Sequence, residues 1–171
     1  MKAKYFLLLL GWLFLDPPLA AKAQTFDGAR VYRTTNQAIP NNTATAVGWT
    51  AESYDTTSVY HSLVSNITRM TVSAVGYNRL TANVYFEANG AGLRVIQIRR
   101  NGTDIVGYCT WEPESATDIQ IQQCQAEWFE GSPTSYYEVF VYQNSGVSRD
   151  IVADGTTGPG TTWFAIQYMG N

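Results

Sequence analysis

Between Arg79 and Phe86 every second residue is apolar. Leu80, Ala82, Val84 and Phe86 alternate with Arg79, Thr81, Asn83 and Tyr85. Successive side chains of a β-strand point to opposite faces, so this pattern reads as a strand with one face in a core. A helix would repeat its apolar positions about every three to four residues, and no segment after the first 23 residues does so. Tyr137, Val139 and Val141 alternate in the same way with Glu138, Phe140 and Tyr142. This periodicity restricts the chain to architectures in which sheets bury one face against each other.

Turn signals divide the rest into short strands. Asn101-Gly102 is a strong hairpin signal between the apolar segments Leu93 to Ile98 and Ile105 to Cys109. Pro40-Asn41-Asn42, Gly76, Asn89-Gly90-Ala91-Gly92, Gly131-Ser132-Pro133 and Asn144-Ser145-Gly146 mark further turns. Strands are expected at Ala29 to Arg33, Ala44 to Thr50, Thr68 to Val72, Ile119 to Phe129, Val147 to Ala153 and Thr162 to Met169. Loops are expected at residues 53–66, 111–117 and 154–161. The sum is an all-β fold of about ten strands, a two-sheet antiparallel jelly-roll sandwich. Nothing in residues 24–171 divides it into more than one domain.

The start of the chain has a different character. Met1 to Lys4 is basic, Tyr5 to Leu15 is apolar, and Ala21-Lys22-Ala23 is a small-x-small cleavage site. That order reads as a secretory signal peptide over residues 1–23, cleaved near Ala23. The apolar run is too short for the roughly 20 residues of a membrane span. The net charge is −3 and the basic residues are scattered, which argues against a nucleic-acid partner. For an exported chain, the two cysteines, Cys109 and Cys124, read first as a disulfide and second as free thiols. A bridge over so short a loop stabilises by about 3 kcal/mol.

Several segments resemble the globular head of the complement C1q family, which shares its jelly roll with the tumour-necrosis-factor ligands. They are Thr71 to Tyr77 leading into Thr81 to Phe86, then Ile96 to Thr103, Tyr137 to Gly146, and Trp163 to Tyr168. The opening Arg30 to Thr35 is similar to that of stand-alone bacterial and phage members. Two positions depart from the pattern: Asn78 stands where an aromatic is usual and Arg79 where an apolar residue is common. No Gly-X-Y tract precedes the head, so a collagen stalk is not implied.

The resemblance implies a homotrimer in which one sheet face packs on sister subunits. Alternation then assigns Leu80, Ala82, Val84, Phe86, Phe164, Ile166 and Tyr168 to the core. It assigns Tyr77, Arg79, Thr81, Asn83, Tyr85, Trp163, Ala165, Gln167 and Met169 to the trimer interface. Arg79 then needs a partner, and Glu87 and Glu138 are the candidates.

Catalysis has little support. The single histidine, His61, follows an Asp55-Thr56 turn and reads as a structural hydrogen-bonder. Glu112 with Glu114, and Asp150 with Asp154, read as solvated loop charges rather than a glycosidase pair. No Asp-rich calcium loop, metal motif or cofactor motif is present. Three sequons, at Asn41, Asn66 and Asn101, matter only in a eukaryotic host. The reading is a secreted trimeric recognition or structural module that binds a protein or glycan through its loops, with Trp111 as an exposed loop aromatic. The alternative is a monomeric lectin-like carbohydrate-binding domain.

Overall fold

The computed structural model describes residues 25–113, 120–153 and 162–171. The expected signal peptide, the loop 154–161, Glu114 and the greater part of the loop 111–117 lie outside these residues.

The described residues form twelve strands in two antiparallel sheets. They are β1 (Gly28–Tyr32), β2 (Gln37–Ile39), β3 (Thr45–Ala46), β4 (Ala51–Asp55), β5 (Arg69–Thr71) and β6 (Gly76–Phe86). Then come β7 (Arg94–Arg100), β8 (Asp104–Trp111), β9 (Gln120–Glu130), β10 (Tyr136–Gln143), β11 (Arg149–Ile151) and β12 (Trp163–Gly170). In the seven-stranded sheet, β6 has β9 along one edge and β12 then β11 along the other, with β1 and β4 beyond β12. The five-stranded sheet runs β8, β7, β10, with β5 and β3 sharing the far edge of β10. This is the expected jelly-roll sandwich.

Alternation places the core correctly on the central strand. Leu80, Ala82, Val84 and Phe86 are fully buried, as are Phe164 and Ile166 of β12 and Val139 and Val141 of β10. Each large apolar side chain removed from water contributes roughly 1.5–3 kcal/mol. Trp49 stacks on Phe164 at 6.1 Å between ring centroids and fills the space between the sheets. Gly76 opens β6 with φ +147, where a Cβ would strike the carbonyl of Gly170 and the Tyr168 ring. Asn78, the departure from the family pattern, is buried and donates its amide to the Gly76 carbonyl at 3.0 Å.

The cysteines are bonded. Cys109 on β8 and Cys124 on β9 lie 5.6 Å apart at Cα and tie the two sheets together along one edge. Beside them Gly107 lets the sheets approach: a Cβ there would sit 3.3 Å from the Ala126 methyl. One turn away, Arg100 donates to both carboxylate oxygens of buried Glu130, at 2.6 and 2.9 Å. Desolvation alone would raise the Glu130 pKa. Hydrogen bonds from Arg100, the Ser132 amide and Ser135 outweigh it and hold the pKa below the ordinary carboxylate range. The Asn101-Gly102 hairpin forms as expected, with φ of 50° and 80°.

Three expectations about the elements are corrected. The strand expected over Ala44 to Thr50 is regular only at Thr45–Ala46. Beyond it Val47 and Trp49 hydrogen-bond singly to Val139 and Ile67 while their side chains fill the core. The loop expected over 53–66 begins inside β4, whose polar sequence hides its pairing with β1. Tyr168 is only half-buried, because a bulge between Tyr168 and Gly170 ends the regular register.

Candidate functional site

The outer face of the seven-stranded sheet is read from the strand register. One row across it is Tyr32, Trp163, Asn83 and Gln123; the next is Arg30, Ala165, Thr81 and Gln125. A third is Gln167, Arg79 and Glu127, and a fourth brings Tyr77 against Phe129. Tyr85 lies beside Ile121. All nine residues assigned to an interface therefore belong to β6 and β12, on the side away from the core, with Met169 at the end of β12.

Chemistry varies along this face. At one end Arg30 lies 4.3 Å from the centre of the Trp163 ring, so the indole is covered within the subunit. Burial pulls the Arg30 pKa down, with Tyr54 acting in the opposite direction. In the middle, Arg79 donates through Nε and Nη2 to one oxygen of Glu127, at 3.0 and 2.9 Å. The expected partners Glu87 and Glu138 are elsewhere: Glu87 meets Arg149 and Glu138 meets Arg69. Glu127 wins because β9 pairs with β6 and puts it directly across from Arg79. At the other end Tyr77 and Phe129 pack edge to face at 5.1 Å while staying 54% and 49% exposed. Met169, 39% exposed, shares with Tyr77 the wall of a hollow of about 240 Å³.

Trp111 is not a loop aromatic. It ends β8, is half-buried, and meets Phe86 edge-on at 5.3 Å as part of the core margin. Sequence placed it in a loop because Pro113 follows so closely, yet the pairing of β8 with β7 continues to Trp111.

A second region is a cavity of about 440 Å³ at the end of the sandwich, beside β5 and the start of β10. Residues 58–62, Ser65, Asn66, Arg69, Thr71 and Tyr136 contribute to its wall. The stretch 58–66 falls within one of the loops expected to carry a ligand. His61 sits at its base with its side chain buried. The ring Nδ1 lies 2.8 Å from Glu52, Nε2 lies 3.2 Å from the Ile67 carbonyl, and the backbone amide donates to Asp55 at 3.1 Å. Both ring nitrogens are engaged in holding the loop, leaving neither to activate a serine. Tyr60 donates to Asp27 at 2.9 Å and is bridged to Ser73, so the same loop is pinned to the start of the described chain. Burial raises the Tyr60 pKa. No three of His, Cys, Asp or Glu come together as a metal would need among the described residues.

The strand order, the two sheets and the face left outside them define a jelly roll of the tumour-necrosis-factor and C1q type. Among solved structures the chain is similar to murine APRIL, with 13% identity and a TM-score of 0.57 over 85% of this chain and 100% of that one. It is similar to Eiger TNF from S. frugiperda, with 11% identity and a TM-score of 0.56 over 86% and 95% of the two chains. It is similar also to the globular domain of zebrafish complement 1qA protein, with 9% identity and a TM-score of 0.51 over 82% and 93%. No protein-family model and no curated protein matches the sequence. At these identities the likeness is one of fold.

Proposed function

We propose that the chain is exported and works as a non-catalytic homotrimeric recognition module. The outer face of the seven-stranded sheet is the subunit contact, and the loops at the sandwich end take a protein ligand. One observation carries the proposal: the Tyr77 and Phe129 pair, with Met169 beside Tyr77 at the end of β12, stands on the outer sheet face half in water. Such patches on a folded surface mark interaction sites, and aromatic side chains and methionine are enriched at interface centres. Arg79 enters the contact already paired with Glu127, so its burial there does not strand a charge. The disulfide suits an oxidising compartment. Trp111 packs on Phe86 and is not free to stack on sugar rings, so it serves neither this reading as a loop contact nor the lectin-like alternative.

Light scattering on residues 24–171 after size exclusion tests the oligomer. A mass of three subunits is expected; a single-subunit mass at micromolar concentration sinks the proposal.

A further inference from the structure

The end cavity is lined by a cation whose terminal donors meet no acceptor among the described residues. Arg69 lies flat over the Tyr136 ring, 4.1 Å from its centre. Its Nε is 3.6 Å from Glu138, too far for a hydrogen bond, and that Glu138 oxygen is taken by the Thr68 hydroxyl at 2.5 Å. Glu138 thus anchors the arginine without saturating it. Among the described residues neither terminal nitrogen of Arg69 meets an acceptor, and the side chain, 40% exposed, lines the cavity. A guanidinium held planar on a ring, with its two terminal nitrogens free, matches the bidentate geometry of a carboxylate.

The surroundings narrow the source of that carboxylate. Val59 lines the cavity, and Leu63, Val64 and Ile67, outside its wall but next to residues that line it, expose further aliphatic side chains. Aliphatic rims shield a desolvated charge pair between proteins. Sugars are instead gripped by bare aromatic faces, and here Arg69 covers a face of the half-buried Tyr136 ring in the cavity wall. The cavity opens beside β5 and β10 of the five-stranded sheet, so a trimer built on the other sheet leaves it accessible.

We infer that this cavity receives an aspartate or glutamate side chain of a partner protein, flanked by apolar residues, with Arg69 as the specificity-determining residue. This rests on the recognition-module reading above and names its ligand chemistry.

The test uses residues 24–171 labelled with ¹⁵N. The probes are an acetylated, amidated peptide with one glutamate between leucines and valines, the same peptide with glutamine, and methyl glucuronide. The glutamate peptide should shift the Arg69 Nε–H signal and the amides of residues 62–67 saturably. The glutamine peptide should bind about tenfold more weakly, one hydrogen-bonded charge in free-energy terms. Arg69→Gln should erase the difference between the peptides, and Arg69→Lys, which keeps charge but not the fork, should restore only part of it. Equal binding of the two peptides, preference for the glucuronide, or no saturable shift with any probe would overturn the inference. The mass of each sample, read by light scattering, reports separately on the trimer.

Discussion

The two outer faces of the sandwich solve the same problem in different ways. On the five-stranded sheet two aromatic rings are roofed by arginines, Arg99 lying 3.9 Å over Phe140 and Arg69 4.1 Å over Tyr136, and Tyr108 is the one left exposed among the described residues of its strands. On the seven-stranded sheet only one end is roofed, by Arg30 over Trp163, while Tyr77 and Phe129 lean on each other in water. A planar guanidinium over a ring finishes a face for solvent, since it hides the ring and keeps its own edge wet. A bare aromatic pair leaves the face unfinished. Arginine, with its planar guanidinium, is better suited to this use than lysine. The three lysines, Lys2, Lys4 and Lys22, all fall in the expected leader, so residues 24–171 carry arginine alone. Two faces that alternate alike in sequence therefore differ in what they leave for a partner.

Changes that remove the frame common to both faces should have the largest effect. Replacing Cys109 and Cys124 by serine unties the sheets at one edge. The loss should be about 3 kcal/mol in urea unfolding. Next is the buried pair at the β9 turn. Glu130→Gln should cost about 2 kcal/mol, the range for a hydrogen bond to a charged group. Its folded pKa is depressed, so its contribution is complete above the unfolded value of about 4.3 and is lost as pH falls below it. Unfolding midpoints between about pH 3 and 6 should therefore fall less steeply in Glu130→Gln than in the parent.

Smaller effects bear on the contrast itself. Arg99→Ala should uncover Phe140 and cost about 1 kcal/mol without changing the subunit count. If it instead dissociated the assembly, the five-stranded sheet would be the contact and the contrast would be reversed. Arg79→Ala should cost the isolated subunit least, about 0.5 kcal/mol, because the pair with Glu127 is exposed there.

Much of this was legible in the chain. Strict alternation in β6 fixes both its buried and its outward residues, and the outward set reaches across to β12 by register. The Asn101-Gly102 turn and the cysteine pair were equally plain. What alternation could not carry was pairing. Glu127 faces Arg79 only because β9 runs beside β6, and Phe129 completes the Tyr77 cluster for the same reason. β4 was hidden because Glu52, Ser53 and Asp55 give an edge strand no apolar rhythm. The Arg69 site draws on segments 58–66, 69–71 and 134–136, so only tertiary structure assembles it. Trp111 shows the converse error, a residue judged by the proline after it rather than by the strand before it.

Sedimentation equilibrium on residues 24–171 and two charge-inserting variants tests the central contrast most directly. Tyr77→Asp with Phe129→Asp should turn a three-subunit species into a folded single subunit, while Tyr108→Asp on the opposite sheet should leave three. A parent that sediments as one subunit, or a Tyr108 variant that dissociates while the Tyr77 and Phe129 variant does not, would contradict the account.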